Sequence, residues 1–185
     1  ALDMLERAEM EDDPQARAIL LSFVVVGAGF AGVETAAELD IFVRRAAGAY
    51  RRFTSSDVKV TLVDGGPRVL PELRERLGEL TRRTLERRGV ESKLGVFVAS
   101  ADDGGVTLAD GTRVAGATIV WAGGVAANPL VASLPFADKH GKAIATADFA
   151  VTGYPGVWAI GDCASIVPPE GGRPYPPTAQ HAVRM

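Results

Sequence analysis

Residues Ser22 to Val26 (SFVVV) run without a break into Gly27-Ala28-Gly29-Phe30-Ala31-Gly32, and this junction constrains the fold more than any other feature of the chain. A short apolar, β-branched run that ends in glycine reads as a buried strand. Phe30 to Leu39, rich in alanine and carrying Glu34 and Glu38, reads as the start of a helix. A strand that becomes a helix through Gly-x-Gly-x-x-Gly has a chemical use. The first glycine permits the tight turn, the second lets backbone approach a pyrophosphate, and the third lets the helix pack closely on the strand. The phosphates then meet unpaired amide N–H groups at the positive end of the helix dipole. Gly27, Gly29, Phe30, Ala31 and Gly32 are therefore candidate dinucleotide contacts.

The rest of the chain is read around that unit. Residues 1–21 read as a lead-in helix that restarts at Pro14, because Asp12-Asp13-Pro14 suits a helix start. A second helical stretch is expected at about 41–53. Residues 57–63 (DVKVTLV) read as a second strand, 71–88 as a helix stopped by Gly89, and 90–94 as a third strand. Between 96 and 114 the pattern shifts to short β pieces separated by Asp102-Asp103-Gly104-Gly105 and Asp110-Gly111, which are hairpin signals. Residues 118–121 (TIVW) and 157–160 (VWAI) read as further buried strands, 143–151 as weak strands, and 178–185 as the first turns of a helix. The expected class is α/β: a Rossmann-like parallel sheet with helices on both faces and a small antiparallel β insertion.

Three strand ends carry candidate site residues. Asp64 is positioned to hold the adenosine ribose, although it follows Gly32 by 32 positions where about 20 is usual. The extra helix at 41–53 accounts for the excess, and a plain Asp-Gly turn is the alternative. A carboxylate there accepts from a 2′-hydroxyl and repels a 2′-phosphate, so NADH is expected over NADPH; Arg68 is the one nearby cation that argues the other way. Ala122-Gly123-Gly124 is either clearance for a ligand or an exit loop. Gly161-Asp162 could offer a carboxylate to sugar-like hydroxyls or be a common turn. Glu34, taken alone, is an acid favourably placed near a helix N-terminus.

Composition closes off other classes. A chain of 185 residues with 47% hydrophobic and 23% charged residues can bury a core. A formal charge of −3 leaves no basic footprint for nucleic acid. Arg82, Arg83, Arg87 and Arg88 read as a solvated helix face. Cys163 is the single cysteine, which excludes a disulfide framework, a Cys-x-x-Cys pair or a cysteine metal centre within these residues. It reads as a small buried residue, His140 as a surface residue, and His181 lacks a visible catalytic partner. No metal ligands and no catalytic side chains are assigned. No signal peptide or long apolar span is visible, and a cytoplasmic location is expected.

Taken together, ERAEMEDDPQAR, FVVVGAGFAGVETAAEL, VTLVDGGPRVLPEL, TIVWAGGVAANPL, GVWAIGDCAS and PPTAQHAVR resemble the type II NADH dehydrogenases, flavoproteins of the two-dinucleotide-binding-domain superfamily related to the disulfide reductases. The resemblance implies a lead-in helix at 1–21, an NAD(H)-binding domain at 22–125 and a returning part of the FAD-binding domain at 126–185, with most of the FAD half lying outside this sequence. It implies that Gly27, Gly29 and Gly32 hold the NADH pyrophosphate, that Glu34 sits near the nicotinamide, and that Asp64 reads the adenosine ribose. Ala122, Gly123 and Gly124 would line the nicotinamide path, Asp162 would bind the ribityl chain of FAD, and Ala179 and Gln180 would lie near the flavin and a quinone pocket. A quinone acceptor, a homodimer and attachment to the cytoplasmic membrane face follow for the whole protein. The alternatives are a reductase of a protein electron carrier and a non-catalytic nucleotide-binding module. These residues alone are expected not to retain FAD, and those after about 126 to be poorly packed, rearranged or buried against another copy.

Overall fold

The computed structural model describes residues 1–172, 174–175 and 183, arranged as two compact units, Ala1–Gly124 and Val125–Met185. The first unit begins with α1 (Leu2–Met10) and α2 (Pro14–Leu20). Asp13 caps α2 by accepting from the backbone N–H of Gln15 and Ala16, with Pro14 in the first turn where a missing N–H is harmless. Strand β1 (Ser22–Val26) leads into α3 (Phe30–Ala47), β2 (Lys59–Asp64), α4 (Glu75–Arg88) and β3 (Val90–Leu94). A meander follows, β4 (Val98–Asp102), β5 (Gly105–Leu108) and β6 (Arg113–Ala115), and then β7 (Thr118–Trp121).

Four strands form one parallel sheet in the order β3-β2-β1-β7. Strand β1 is buried along its whole length, as a central strand covered on both faces must be. Alternate side chains then go to different partners. Phe23 and Val25 of β1 and Val60 and Leu62 of β2 pack in one core with Leu5 of α1, Val33, Ala36 and Val43 of α3, and Leu85 of α4. Val24, Val26 and Val63 point the other way and pack on Val106, Leu108 and Val114 of the meander. Helices therefore cover one face and the antiparallel sheet β4-β5-β6 covers the other, which corrects the expectation of helices on both faces. The meander closes its turns with Asp102 accepting from Gly104 N–H at 2.8 Å and Asp110 accepting from Thr112 N–H at 2.9 Å. Val106 and Val114, directly opposite on β5 and β6, supply its apolar face.

Two helix boundaries also differ from the sequence reading. The helix after the glycine turn is one element of 18 residues, with no restart at 41. Its buried positions Val33, Ala36, Asp40, Val43 and Ala47 follow helical spacing straight through Asp40, whose carboxylate accepts from Arg44 Nε one turn on at 2.6 Å. Helix α4 starts at Glu75 rather than 71. Leu70 adopts φ 49° and donates its N–H to Ala28 O at 2.8 Å, so residues 65–74 are held as a loop against the glycine turn.

The second unit contains α5 (Pro129–Ala132), β8 (Ala143–Ala145), a 3-10 turn at Gly161–Cys163 and β9 (Ala164–Ile166), with β8 and β9 paired in parallel. Its small core holds Ala145, Ala164 and Ile166 against Phe149 and Ala159. Residues 157–160 do not form the expected buried strand. Gly156 and Gly161 at φ 84° and 70° bracket them, Trp158 makes one bridge to Ala150, and Trp158 and Ile160 are exposed. The strand of this region is β9, further on. The expected helix at 178–185, with Ala179 and Gln180, lies outside the described residues apart from Val183. No described helix is long and apolar enough to cross a membrane.

Candidate nucleotide site

The site is built where β1, β2 and β7 end. Gly27 takes φ 109°, a region closed to residues with a side chain, and its N–H donates to Val63 O at 2.8 Å. A Cβ at Gly27 would sit 2.3 Å from Ala122 O, and one at Gly32 would sit 1.7 Å from Gly27 O. The protein's own packing thus demands glycine at the first and third positions. Gly29 is different. It has φ −74° and ψ −172°, which any residue adopts, and a Cβ there would meet nothing closer than Glu72 Oε1 at 3.9 Å. Neither backbone nor packing requires a glycine at 29, so the open space in front of it is the feature left to explain. Gly29 is also the N-cap of α3 and offers no side-chain cap, which leaves amides of the first turn facing that space.

Asp64 ends β2 beside this turn. One carboxylate oxygen accepts from Ala28 N–H and the other from Gly66 N–H, both at 2.6 Å. The acid therefore fastens the glycine turn to the loop after β2. Each oxygen keeps a further lone pair, so the carboxylate can still accept from hydroxyls. This structural duty was not legible in the sequence. Arg68 is engaged, donating to Pro71 O at 2.6 Å.

A cavity of about 150 Å³ opens at the same strand ends, lined by Gly27, Asp64, Gly65, Val96, Phe97, Trp121 and Gly123 among others. The structure thus brings Gly27, Asp64 and Gly123 around one space, and it adds Phe97 and Trp121, which the sequence reading passed over. Ala122 holds the turn through its N–H to Val26 O at 2.7 Å and its carbonyl packed under Gly27, so this segment buttresses the glycine loop whatever else it does. Gly124 takes φ 105° at the end of the unit.

The chain belongs to the pyridine nucleotide-disulphide oxidoreductase family. The family match covers residues 2–185. Type II NADH:quinone oxidoreductases are its relatives: Ndh of Mycobacterium tuberculosis is 37% identical, covering 99% of this chain, and one from Staphylococcus aureus is 35% identical, covering 89%. The chain spans 40% and 42% of the lengths of these relatives. NDH2 from Plasmodium falciparum, solved in complex with NADH, superposes with a TM-score of 0.79 over 90% of this chain at 21% identity, and spans the same α/β fold.

Not every candidate residue of the first unit lines the cavity. Phe30, Ala31 and Glu34 are exposed on the first turns of α3, and Glu34 lines a separate shallow groove with Thr35, Glu38, Leu39 and Phe42. Asp162 belongs to the second unit, exposed within its 3-10 turn. Beside it, Cys163 is half-buried and its thiol points to Ile160 O at 3.2 Å.

Proposed function

We propose that the chain is the NADH-binding part of a flavoprotein that takes a hydride from NADH onto FAD and passes electrons to a quinone. The observation that carries the reading is Gly29: a glycine that neither its backbone angles nor its neighbours require, at an uncapped helix start, beside a strand-end carboxylate. A pyrophosphate accounts for all three. Its oxygens take the free amides of α3, and the missing side chain gives them room. Asp64 then accepts from the adenosine ribose hydroxyls. In this reading Gly123 and Gly124 line the nicotinamide path past β7, and Glu34, one turn into α3, serves the nicotinamide end. Residues 22–125 form the nucleotide domain in this reading, preceded by the lead-in 1–21, and 126–185 contribute to the flavin domain, with Asp162 on the ribityl chain and Ala179 and Gln180 near the ring.

FAD, when bound, supplies the two-electron acceptor for the hydride. This chain's part is to bind and orient the donor. The relatives' names favour a quinone as final acceptor, at 37% and 39% identity for the two Mycobacterium tuberculosis enzymes, over a protein electron carrier. In the whole protein the quinone places the enzyme at the cytoplasmic membrane face.

Calorimetric titration with NADH and NADPH tests the reading. NADH binds more tightly, by at least about tenfold, because the Asp64 carboxylate opposes a 2′-phosphate. Asp64→Ala weakens NADH and narrows the gap. Equal affinities in the unaltered chain overturn the selectivity, and no binding of either nucleotide overturns the proposal.

A further inference from the structure

Phe97 is 71% exposed, an unusual setting for a phenyl ring, and it stands at the mouth of the cavity beside Asp64. Its position is imposed by backbone. Gly95 N–H donates to Gly66 O at 2.8 Å, Val96 N–H to Asp64 O at 3.2 Å, and Ala109 N–H to Phe97 O at 2.8 Å. The exit of β3 is thereby pinned to the exit of β2 on one side and to the meander on the other. The ring itself lies across Gly65, where a Cβ would fall 2.2 Å from Cε1, 2.3 Å from Cδ1 and 2.6 Å from Cζ. Gly65 has no positive φ, so its missing side chain is accounted for by the ring and not by the backbone. Val96 and Val98 complete an apolar wall next to a carboxylate.

We infer that Phe97 is the stacking platform for the adenine ring of the bound nucleotide, a positioning residue that makes the site select adenine dinucleotides over mononucleotides. The inference rests on the nucleotide reading above. Strand order decides which ring arrives there. In β3-β2-β1-β7 the ribose-reading acid ends β2, the pyrophosphate turn follows β1, and the opposite half of the ligand leaves past β7. The base attached to the ribose at Asp64 is carried outward toward β3, where Phe97 stands. A flat heteroaromatic ring beside an exposed phenyl gains by stacking with little ordering of the protein, since a phenyl has two rotatable bonds and this backbone is already fixed.

The test compares three ligands by titration: NADH, ADP-ribose, which retains the adenosine half, and reduced nicotinamide mononucleotide, which lacks it. Phe97→Ala weakens NADH and ADP-ribose about tenfold, within the range of one lost base stack, and leaves the mononucleotide unchanged. Phe97→Trp retains both adenine ligands. Gly65→Ala, which displaces the ring without deleting it, reproduces the loss. Melting temperature stays near that of the unaltered chain for Phe97→Ala, because an exposed ring contributes little to the core. If the unaltered chain binds NADH and ADP-ribose and Phe97→Ala binds them equally well, the platform is refuted while the nucleotide site stands. Equal weakening of the mononucleotide refutes it too, since the ring would then act on the whole site. If the unaltered chain binds none of the three, the nucleotide reading falls and the platform with it.

Discussion

Three single methyl groups separate folding from binding in the glycine turn. A methyl at Gly32 would sit 1.7 Å from Gly27 O, so α3 must retreat from the sheet it packs on. Overpacking of that kind costs about 3 kcal/mol, which for a chain of this size lowers Tm by roughly 6–12 °C. A methyl at Gly27 faces Ala122 O at 2.3 Å and a φ of 109°, and the strained backbone alone costs about 1–3 kcal/mol. At Gly29 the nearest atom is 3.9 Å away. Alanine is a poorer N-cap than glycine by about 0.5–1 kcal/mol, and its lower freedom in the unfolded chain returns about 0.4–1 kcal/mol. Gly29→Ala should therefore melt within about 2 °C of the unaltered chain. Its methyl fills the space assigned to a phosphate oxygen. Losing two charge-assisted amide contacts, at about 1.5 kcal/mol each or more, lowers NADH affinity on the order of 100-fold. Calorimetric melting and NADH titration of the three variants decide the matter. Gly29→Ala that binds NADH normally, or that melts as early as Gly32→Ala, refutes the assignment of the open space to a ligand.

Two further predictions concern the scaffold. Asp40 is nearly fully buried, and Arg44 also donates to Ser55 O at 2.6 Å and Gly89 O at 3.4 Å, so Arg44→Ala leaves a bare buried carboxylate and should cost about 3 kcal/mol in urea unfolding, whereas Asp40→Ala, which leaves a partly exposed guanidinium with two carbonyl partners, should cost less; the reverse order would mean that the pair is not what joins α3 to the neighbouring loops. Glu79 is held down to about 2, first by hydrogen bonds from Arg82 and Arg83 and then by their charges. A depressed carboxylate stabilises above its ordinary value of 4.5 and loses that contribution as pH falls toward its folded value. The Tm difference between the unaltered chain and Glu79→Gln should thus be constant above about pH 5, shrink as pH falls from there toward 2, and be weakened by salt; a difference of the same size at about pH 2 as at about pH 7 would mean that the ion pairs contribute nothing.

Several elements were legible because local rules and tertiary packing agree. Asp13-Pro14 starts a helix by its own capping chemistry, Gly89 stops one in the left-handed conformation, and Asp102 and Asp110 close turns with their own backbone. The misreadings arose where a contact distant in sequence overrides the local signal. Residues 71–74 carry helical spacing, yet Leu70 is tied to Ala28 and the helix waits until Glu75. Val157–Ile160 reads as a buried strand by its apolar run, but a run cannot reveal whether a neighbouring strand is present, and here its side chains alternate outward. Phe97 passed as part of a hairpin region because nothing near it in sequence shows that β3 ends beside β2.

The sequence by itself determined the strand, glycine turn and helix that open the first unit. Strand, glycine turn and helix are contiguous in the 11 residues from Ser22 to Gly32, and the positive φ of Gly27 and the contact of Gly32 with Gly27 O lie within that one turn, although the packing of Ala122 on Gly27 does not. Only the tertiary structure decided what surrounds it. Which face the valines of β1 present to helices and which to the meander depends on elements tens of residues away. That Asp64 ties the glycine turn, through Ala28 N–H, to the loop after β2, that Gly29 faces open space while its two companions do not, and that Phe97 lies on Gly65 are all decided where strand ends meet. A pattern along the chain records the period of a side chain and the freedom of a backbone; it does not record distances across a sheet, and the site is made of those distances.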